Sequence, residues 1–291
     1  MRNFDKSLLK KLYVPVSGSH KGQSGKLMVI GGSMLFHGAS LWALKVASRI
    51  VDMVFYSSVE ENLEVARRLK SELFDFIEVP RGSIEEYIKE SDVVLLGPGL
   101  PRVSGLAEGE ESTRDLTKRL LSQFPQKKWV LDAGALTEMD PEWLRQLEDN
   151  VILTPHQQEF LKLFEFKIQN SKLKITDQNS KVDEKLAQEM TREYNCVVLL
   201  KGEKDIVCSP QGCVQIEGGN AGMTKGGTGD VLAGLVAALA TKNDLFLAAT
   251  AGSYINKKAG ESLFRKVGLY FNASDLVDEI PKVMKELFLP A

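Results

Sequence analysis

Short runs rich in Val, Ile, Leu and Phe recur along the chain, separated by stretches in which apolar residues return every three or four positions. The runs "KLMVIGG" (26–32), "MVFYSS" (53–58), "DFIEVP" (75–80), "DVVLLGPG" (92–99), "KWVLDAG" (128–134), "NVILTP" (150–155) and "CVVLLKG" (196–202) predict strands. Most are continuously apolar rather than alternating, the pattern of strands buried on both faces of a parallel sheet. Amphipathic stretches at 39–50, 60–73, 111–124 and 180–194 predict the helices between them, giving successive βαβ units with right-handed crossovers. "DIVCSPQGCVQIE" (205–217) breaks this rhythm and predicts an antiparallel hairpin at the sheet edge, turning at Ser-Pro-Gln-Gly. Three helices, about 228–241, 245–264 and 273–287, are expected to finish the chain. The opening "MRNFDKSLLKKLYVP" carries a helical Lys/Leu rhythm without a signal peptide's apolar stretch. Residues 101–112 and 165–181 read as surface insertions, the second as a mobile polar loop without chemistry. Nothing resembles a repeat or a domain-separating linker, so residues 1–291 are expected to form a single α/β domain.

Composition narrows the class of partner. With 43% apolar residues, 26% charged and a net charge of −2, the chain shows no bias toward nucleic acid or membrane surfaces. No apolar run reaches the ~18–20 residues of a membrane span, and the expected location is cytoplasmic. Three cysteines are too few for a disulfide framework. Cys208 and Cys213 are expected as facing positions on the hairpin rather than as a bonded pair or metal ligands.

In open α/β sheets ligands gather beyond the carboxyl ends of the strands, and the unusual residues lie there. The first long strand ends in Gly31-Gly32-Ser33, followed by Phe36-His37-Gly38-Ala39-Ser40 at a helix start. Others end in Gly97-Pro98-Gly99, at Asp132, at Thr154-Pro155-His156 and at Lys201-Gly202. Taken singly, each has an ordinary reading: turn glycines, a capping Asp132, a helix-start His156, a solvated Lys201. Their arrival on one rim favours a binding site.

"GGNAGMTKGGTGDVLAG" (218–234) holds seven glycines in seventeen positions and then becomes an apolar helix. Such a loop lets backbone N–H groups converge where the helix adds the positive end of its dipole, a site suited to phosphate. It is not a Walker A loop. "GSHKGQSGKL" (18–27) has the wrong spacing for one, and "GGTGD" does not fit the dinucleotide pattern G-x-G-x-x-G. Asp230, where loop becomes helix, is either a dipole-stabilised first-turn acid or a general base facing the acceptor of a phosphoryl group. A carboxylate beside a phosphate site is repelled by it, which favours the base.

These residues resemble the ADP/ATP-dependent NAD(P)H-hydrate dehydratases of the ribokinase-like superfamily over about residues 18–285. The resemblance rests on "HKGQSGKLMVIGGS" (20–33), "FHGAS" (36–40), "GPGL" (97–100), "VLDAGAL" (130–136), "LTPHQQEF" (153–160), "LLKGEKDIV" (199–207) and "GNAGMTKGGTGDVLAG" (219–234). It implies a three-layer sandwich, with a mostly parallel central sheet, helices on both faces and an antiparallel edge hairpin. It also implies dehydration of hydrated NADH or NADPH: phosphorylation of the ring hydroxyl by ADP or ATP with Mg2+, then loss of phosphate. Asp230 would deprotonate the hydroxyl. Lys201, Gly202, Glu203, Lys204, Asp205, Gly226, Gly227, Thr228 and Gly229 would hold the nucleotide and its transferring phosphoryl group. Ala39, Gly99 and His156 would line the hydrated-cofactor pocket, with Asn220 and Met223 at the loop entrance; no metal ligand is assigned.

The resemblance also implies a homo-oligomer, possibly a tetramer, and a separate NAD(P)H-hydrate epimerase, since the chain has no room for a fused one. Departures from the family pattern bear on substrate recognition. Gln157-Gln158 stand for Pro-Gly, Gly134 and Thr137 for Asp and Asn, and Pro101 for Gly. A ribokinase-like vitamin-precursor or sugar kinase would share the loop and Asp230, and so would a nucleotide-binding regulator without catalysis.

Overall fold

The computed structural model describes residues 2–101, 111–170 and 182–289. Ten strands are named in chain order: β1 (Arg2–Asn3), β2 (Lys26–Ile30), β3 (Met53–Ser57), β4 (Ile77–Glu78), β5 (Val93–Leu96), β6 (Lys128–Leu131), β7 (Val151–Leu153), β8 (Val197–Leu200), β9 (Asp205–Ser209) and β10 (Gly212–Ile216). They form one sheet in the order β1-β10-β9-β8-β7-β6-β5-β2-β3-β4. From β4 to β8 every pairing is parallel, and β8–β9 and β9–β10 are antiparallel.

The continuous apolar runs are explained by cover on both faces. Along β2, Leu27 and Val29 enter one core while Met28 and Ile30 enter the other. The first core lies under α1 (His37–Ala47), α2 (Glu60–Leu69), α9 (Thr228–Ala240), α10 (Leu245–Val267) and α11 (Ala273–Phe288). The second lies under α3 (Ile84–Glu90), α4 (Thr113–Gln123), α5 (Ala133–Glu138), α6 (Gln157–Leu163), α7 (Glu165–Asn170) and α8 (Glu184–Tyr194). Helix α9 is buried from Val231 to Ala240, as its apolar composition requires. A Cβ at Gly234 would stand 2.6 Å from the Ala43 backbone, so glycine lets α1 and α9 close together.

Four features differ from the sequence reading. Residues 165–170, read as loop, continue as helix α7; residues 171–181 of that stretch, and 102–110 of the other insertion, lie outside the described residues. The N-terminal helical rhythm yields a short 3-10 turn, Lys6–Lys11, preceded by β1, which pairs parallel with β10. Short α3, α5 and α6 were hidden in or beside strand-like runs. Cys208 and Cys213 do face each other across the hairpin, but they are joined as a disulfide. Their direct pairing in the antiparallel register brings the two sulfurs together. The remaining cysteine, Cys196, is buried, and burial pushes its thiol up to about 12. Among the described residues no helix is long and apolar enough to cross a membrane.

Candidate active site

The carboxyl ends of β6, β7 and β8 bring three charged side chains together. Lys201 follows β8 and forms a parallel bridge with His156, its N–H donating to Pro155 O at 2.8 Å. That places its ammonium 2.8 Å from Asp132 Oδ1, at the end of β6, and 3.9 Å from Glu159 Oε2 in α6. The Thr154 hydroxyl donates to the same Asp132 oxygen at 2.8 Å. Asp132 stands at the N-cap position of α5, but its side chain makes no capping hydrogen bond there. Ala133, next in the chain, holds a positive φ of 45°, strain of the kind that clusters at functional sites.

His156 is the N-cap of α6. Its Nδ1 accepts from the Glu159 backbone N–H at 3.2 Å, while Glu159 Oε2 accepts from the His156 N–H at 2.8 Å. The helix-start reading of His156 is correct, and the residue also lines the cleft described below.

Across from this group stands the glycine loop. Asn220 caps its 3-10 turn, Oδ1 accepting from Gly222 N–H and Nδ2 donating to Gly260 O, both near 2.9 Å. Thr228 Oγ1 donates back to the Met223 and Lys225 carbonyls, and Lys225 Nζ donates to Leu269 O and Phe271 O. Each polar side chain in the loop thus fixes backbone; in the first turn of α9 the Thr228 N–H already donates to Lys225 O at 3.3 Å, while Gly229 borders the cleft described below. Gly227 begins that turn at φ 93°, pressed against Trp42. A Cβ at Gly229 would stand 3.5 Å from Lys201 Nζ, so the ammonium lies over the start of α9.

Asp230, in that first turn, is half-buried. Burial raises its carboxyl to about 7, the charge of Asp132 adds to the rise, and Lys201 opposes it. Burial alone would lower the Lys201 ammonium; the charges of Asp132 and Glu159, the Asp132 hydrogen bond and Asp230 together raise it instead. A carboxylate poised near neutrality beside a phosphate-ready helix start can accept a proton at physiological pH.

Between the β8–β9 turn and the glycine loop lies a cleft of about 940 Å³. It is lined by Lys201 to Asp205, His156, Asn220, Thr228 and Gly229 among the residues expected from sequence. The Asp205 side chain works inward: Oδ1 accepts from Gly202 N–H at 2.9 Å, Oδ2 from the Ser253 hydroxyl at 2.7 Å, and Lys257 Nζ is 3.4 Å away. Gly226, Gly227, Asp230, Ala39 and Gly99 are not in that lining; Asp230 adjoins it through Gly229. Ala39 and Gly99 do meet each other, a Cβ at Gly99 standing 3.1 Å from Ala39 Cβ and 2.7 Å from Phe36 O.

Sequence reasoning missed the partners on α10. Lys257 Nζ donates to the Gly202 and Glu203 carbonyls at 3.2 and 3.0 Å, tying the β8–β9 turn to the helix. Asn256 beside it lines the cleft. Both lie mid-helix, where only tertiary structure reveals that they face a site.

The fold is of the ribokinase-like class. The chain is similar to a ribokinase-like superfamily protein from Enterococcus faecalis, with a TM-score of 0.82 and 22% identity, covering 99% of this chain and 97% of that one. The family model described as NAD(P)H-hydrate dehydratase matches residues 27–282, and the chain belongs to that family. It is 35% identical over 293 residues to the ADP-dependent (S)-NAD(P)H-hydrate dehydratase of Nitrosopumilus maritimus, covering 95% of each chain. It is 34% identical over 287 residues to the bifunctional NAD(P)H-hydrate repair enzyme of Methanocaldococcus jannaschii. That match covers 95% of this chain and 51% of the relative, so the chain spans about half the relative's length.

Proposed function

We infer that the protein dehydrates hydrated NADH and NADPH, with ADP or ATP as phosphoryl donor. The observation that carries this reading is Asp230: a carboxylate raised to about 7 in the first turn of α9, under the opposed charges of Asp132 and Lys201 and next in the chain to Gly229, which borders the cleft. The ring hydroxyl is a poor leaving group. Asp230 takes its proton as the oxygen attacks the terminal phosphorus, and the phosphorus–oxygen bond to the rest of the nucleotide breaks. The ring nitrogen lone pair then expels phosphate with the carbon–oxygen bonding pair, and loss of a proton from the adjacent ring carbon restores the dihydropyridine. The first turn of α9 holds the transferring phosphoryl group, and Lys201 and the Gly202–Asp205 turn position the nucleotide.

A Mg2+ ion arriving with the nucleotide would find no side-chain cage of its own among the described residues: no three His, Cys, Asp or Glu side chains are grouped there to hold a metal, and Asp132 is engaged by Lys201. Such an ion, when bound, would neutralise phosphate charge. The test is to incubate the protein with hydrated NADH or NADPH and ADP or ATP and follow the return of reduced-cofactor absorbance. Recovery that requires nucleotide supports the reading; no recovery with either nucleotide sinks it. A stable phosphorylated product with another small molecule would assign a kinase instead.

A further inference from the structure

Helix α10 passes beneath the cleft and carries an unsatisfied polar group there. Asn256 is only 5% exposed, lines the cleft, and its Oδ1 is buried without a hydrogen-bond partner. A buried amide oxygen left unpaired is a desolvation cost that folding does not return, and native proteins rarely keep one without a use. The neighbouring residues show what the use is not. Ser253 is taken by Asp205, and Lys257 by the carbonyls of the β8–β9 turn, so the loop is already fastened without Asn256.

One turn further along the same helix face is Gly260, where a Cβ would stand 2.2 Å from Met223 Sδ. Met223 therefore packs on α10 at Gly260, four residues from Asn256, and Met223 and Leu232 both line the cleft with it. An apolar wall with one carboxamide at its edge has the chemistry of a slot for a flat heteroaromatic ring. Rotation about the terminal torsion, which is soft in Asn, turns the acceptor toward the cleft without moving the backbone. A carboxamide offers one acceptor and one donor side by side, the complement of the 6-amino group and N7 of adenine; in a 6-oxopurine O6 and N7 both accept, so neither orientation of the amide satisfies them together.

We propose that Asn256 is the residue that reads the nucleotide base, selecting adenine over a 6-oxopurine through its carboxamide at the edge of the Met223 wall. The inference rests on the nucleotide cleft of the proposed function and assigns its base specificity. The phosphates then extend toward the start of α9, which the cleft reaches at Thr228 and Gly229.

The test is calorimetric binding of ADP and IDP, which differ at the 6-position, to wild-type protein and to Asn256→Ala and Asn256→Asp. Wild-type protein is expected to bind ADP at least about tenfold more tightly than IDP, the discrimination of one good bidentate pair. Asn256→Ala is expected to bring that ratio to about one, chiefly by weakening ADP, with melting curves confirming that the variant is folded. Asn256→Asp, which keeps an acceptor for the 6-amino group, is expected to retain part of the preference. An ADP/IDP ratio unchanged in Asn256→Ala overturns the inference, whether or not the protein dehydrates hydrated cofactor. Preserved discrimination without dehydration would sink the proposed function and leave this inference standing, and wild-type protein that binds neither nucleotide overturns both.

Discussion

Lys201 Nζ lies 2.8 Å from Asp132 Oδ1, joining the ends of β8 and β6 across the intervening β7. The pair acts on Asp230 with opposite signs, since Asp132 raises its carboxyl and Lys201 lowers it. Lys201→Met removes the opposing cation, so the acid limb of kcat/KM should move to higher pH. Asp132→Asn removes the repelling charge and should move the limb to lower pH. A shift of about one unit each way is expected for a charge at this range. A limb that stays put in both variants would show that Asp230 is not the titrating base.

Asp230 should also tie activity to stability in opposite directions. Its folded pKa, about 7, lies above the ordinary 3.8, so the folded protein binds this proton more tightly than the unfolded chain. Stability is thus lost as pH rises through the window between those values. Asp230→Asn removes the penalty. Without ligand, the variant should unfold at a higher temperature than wild type at pH 8, by about 2–4 °C for each kcal/mol recovered, with no gain near pH 4. Turnover should fall by about 10²–10⁴-fold, the usual worth of a general base. A variant both inactive and less stable at pH 8 would point to a structural role.

Two neighbouring glycines should respond differently to alanine. At Gly227, φ is 93° and a Cβ would stand 2.3 Å from Trp42 Cζ3, so Gly227→Ala should cost about 2–4 kcal/mol. Gly226 has open space around its Cβ position. Gly226→Ala should leave the thermal midpoint within a degree or two and weaken ADP binding, if phosphate approaches the backbone there. Paired melting and calorimetry curves decide both.

The layered architecture was legible because strands covered on both faces are continuously apolar, a local pattern that needs no knowledge of tertiary contacts. The loop and Asp230 were legible because glycine density and a junction acid are features of adjacent residues. The Lys201–Asp132 contact was not, since it joins positions 69 residues apart that only the parallel register aligns. Nor was the work of Asp205, whose carboxylate turns inward to Ser253, 48 residues away. At Gly134 a Cβ would meet Leu100 O at 2.5 Å, so the absence of a side chain there lets the two backbones pack closely. The cysteine pair misled for another reason. Facing positions are readable from hairpin spacing, but whether two facing sulfurs bond depends on register, which places Cys208 directly opposite Cys213.

That disulfide closes a very short segment, so its loop-entropy contribution is small, about 2 kcal/mol. Reduction, or Cys213→Ser, should lower the thermal midpoint by several degrees and leave turnover unchanged. The bond sits at the turn end of the β9–β10 hairpin, away from the end that carries Asp205. Loss of turnover on mild reduction, with the fold intact by circular dichroism, would show that the hairpin transmits strain to the cleft.

Asp205 and Lys257 offer the sharpest test of how the nucleotide turn is held. Both are buried, they lie 3.4 Å apart, and each also bonds the turn, Asp205 through Gly202 N–H and Lys257 through two carbonyls. Removing one partner leaves a buried charge uncompensated, so Asp205→Ala or Lys257→Met alone should cost about 3–5 kcal/mol. Removing both leaves no orphan charge, and the double variant should lose less than the sum of the singles. ADP affinity should fall in all three, because the turn loses its anchor even though neither side chain need touch the nucleotide. Strictly additive losses in unfolding free energy would mean that the two residues act separately. The turn would then be held by two independent anchors.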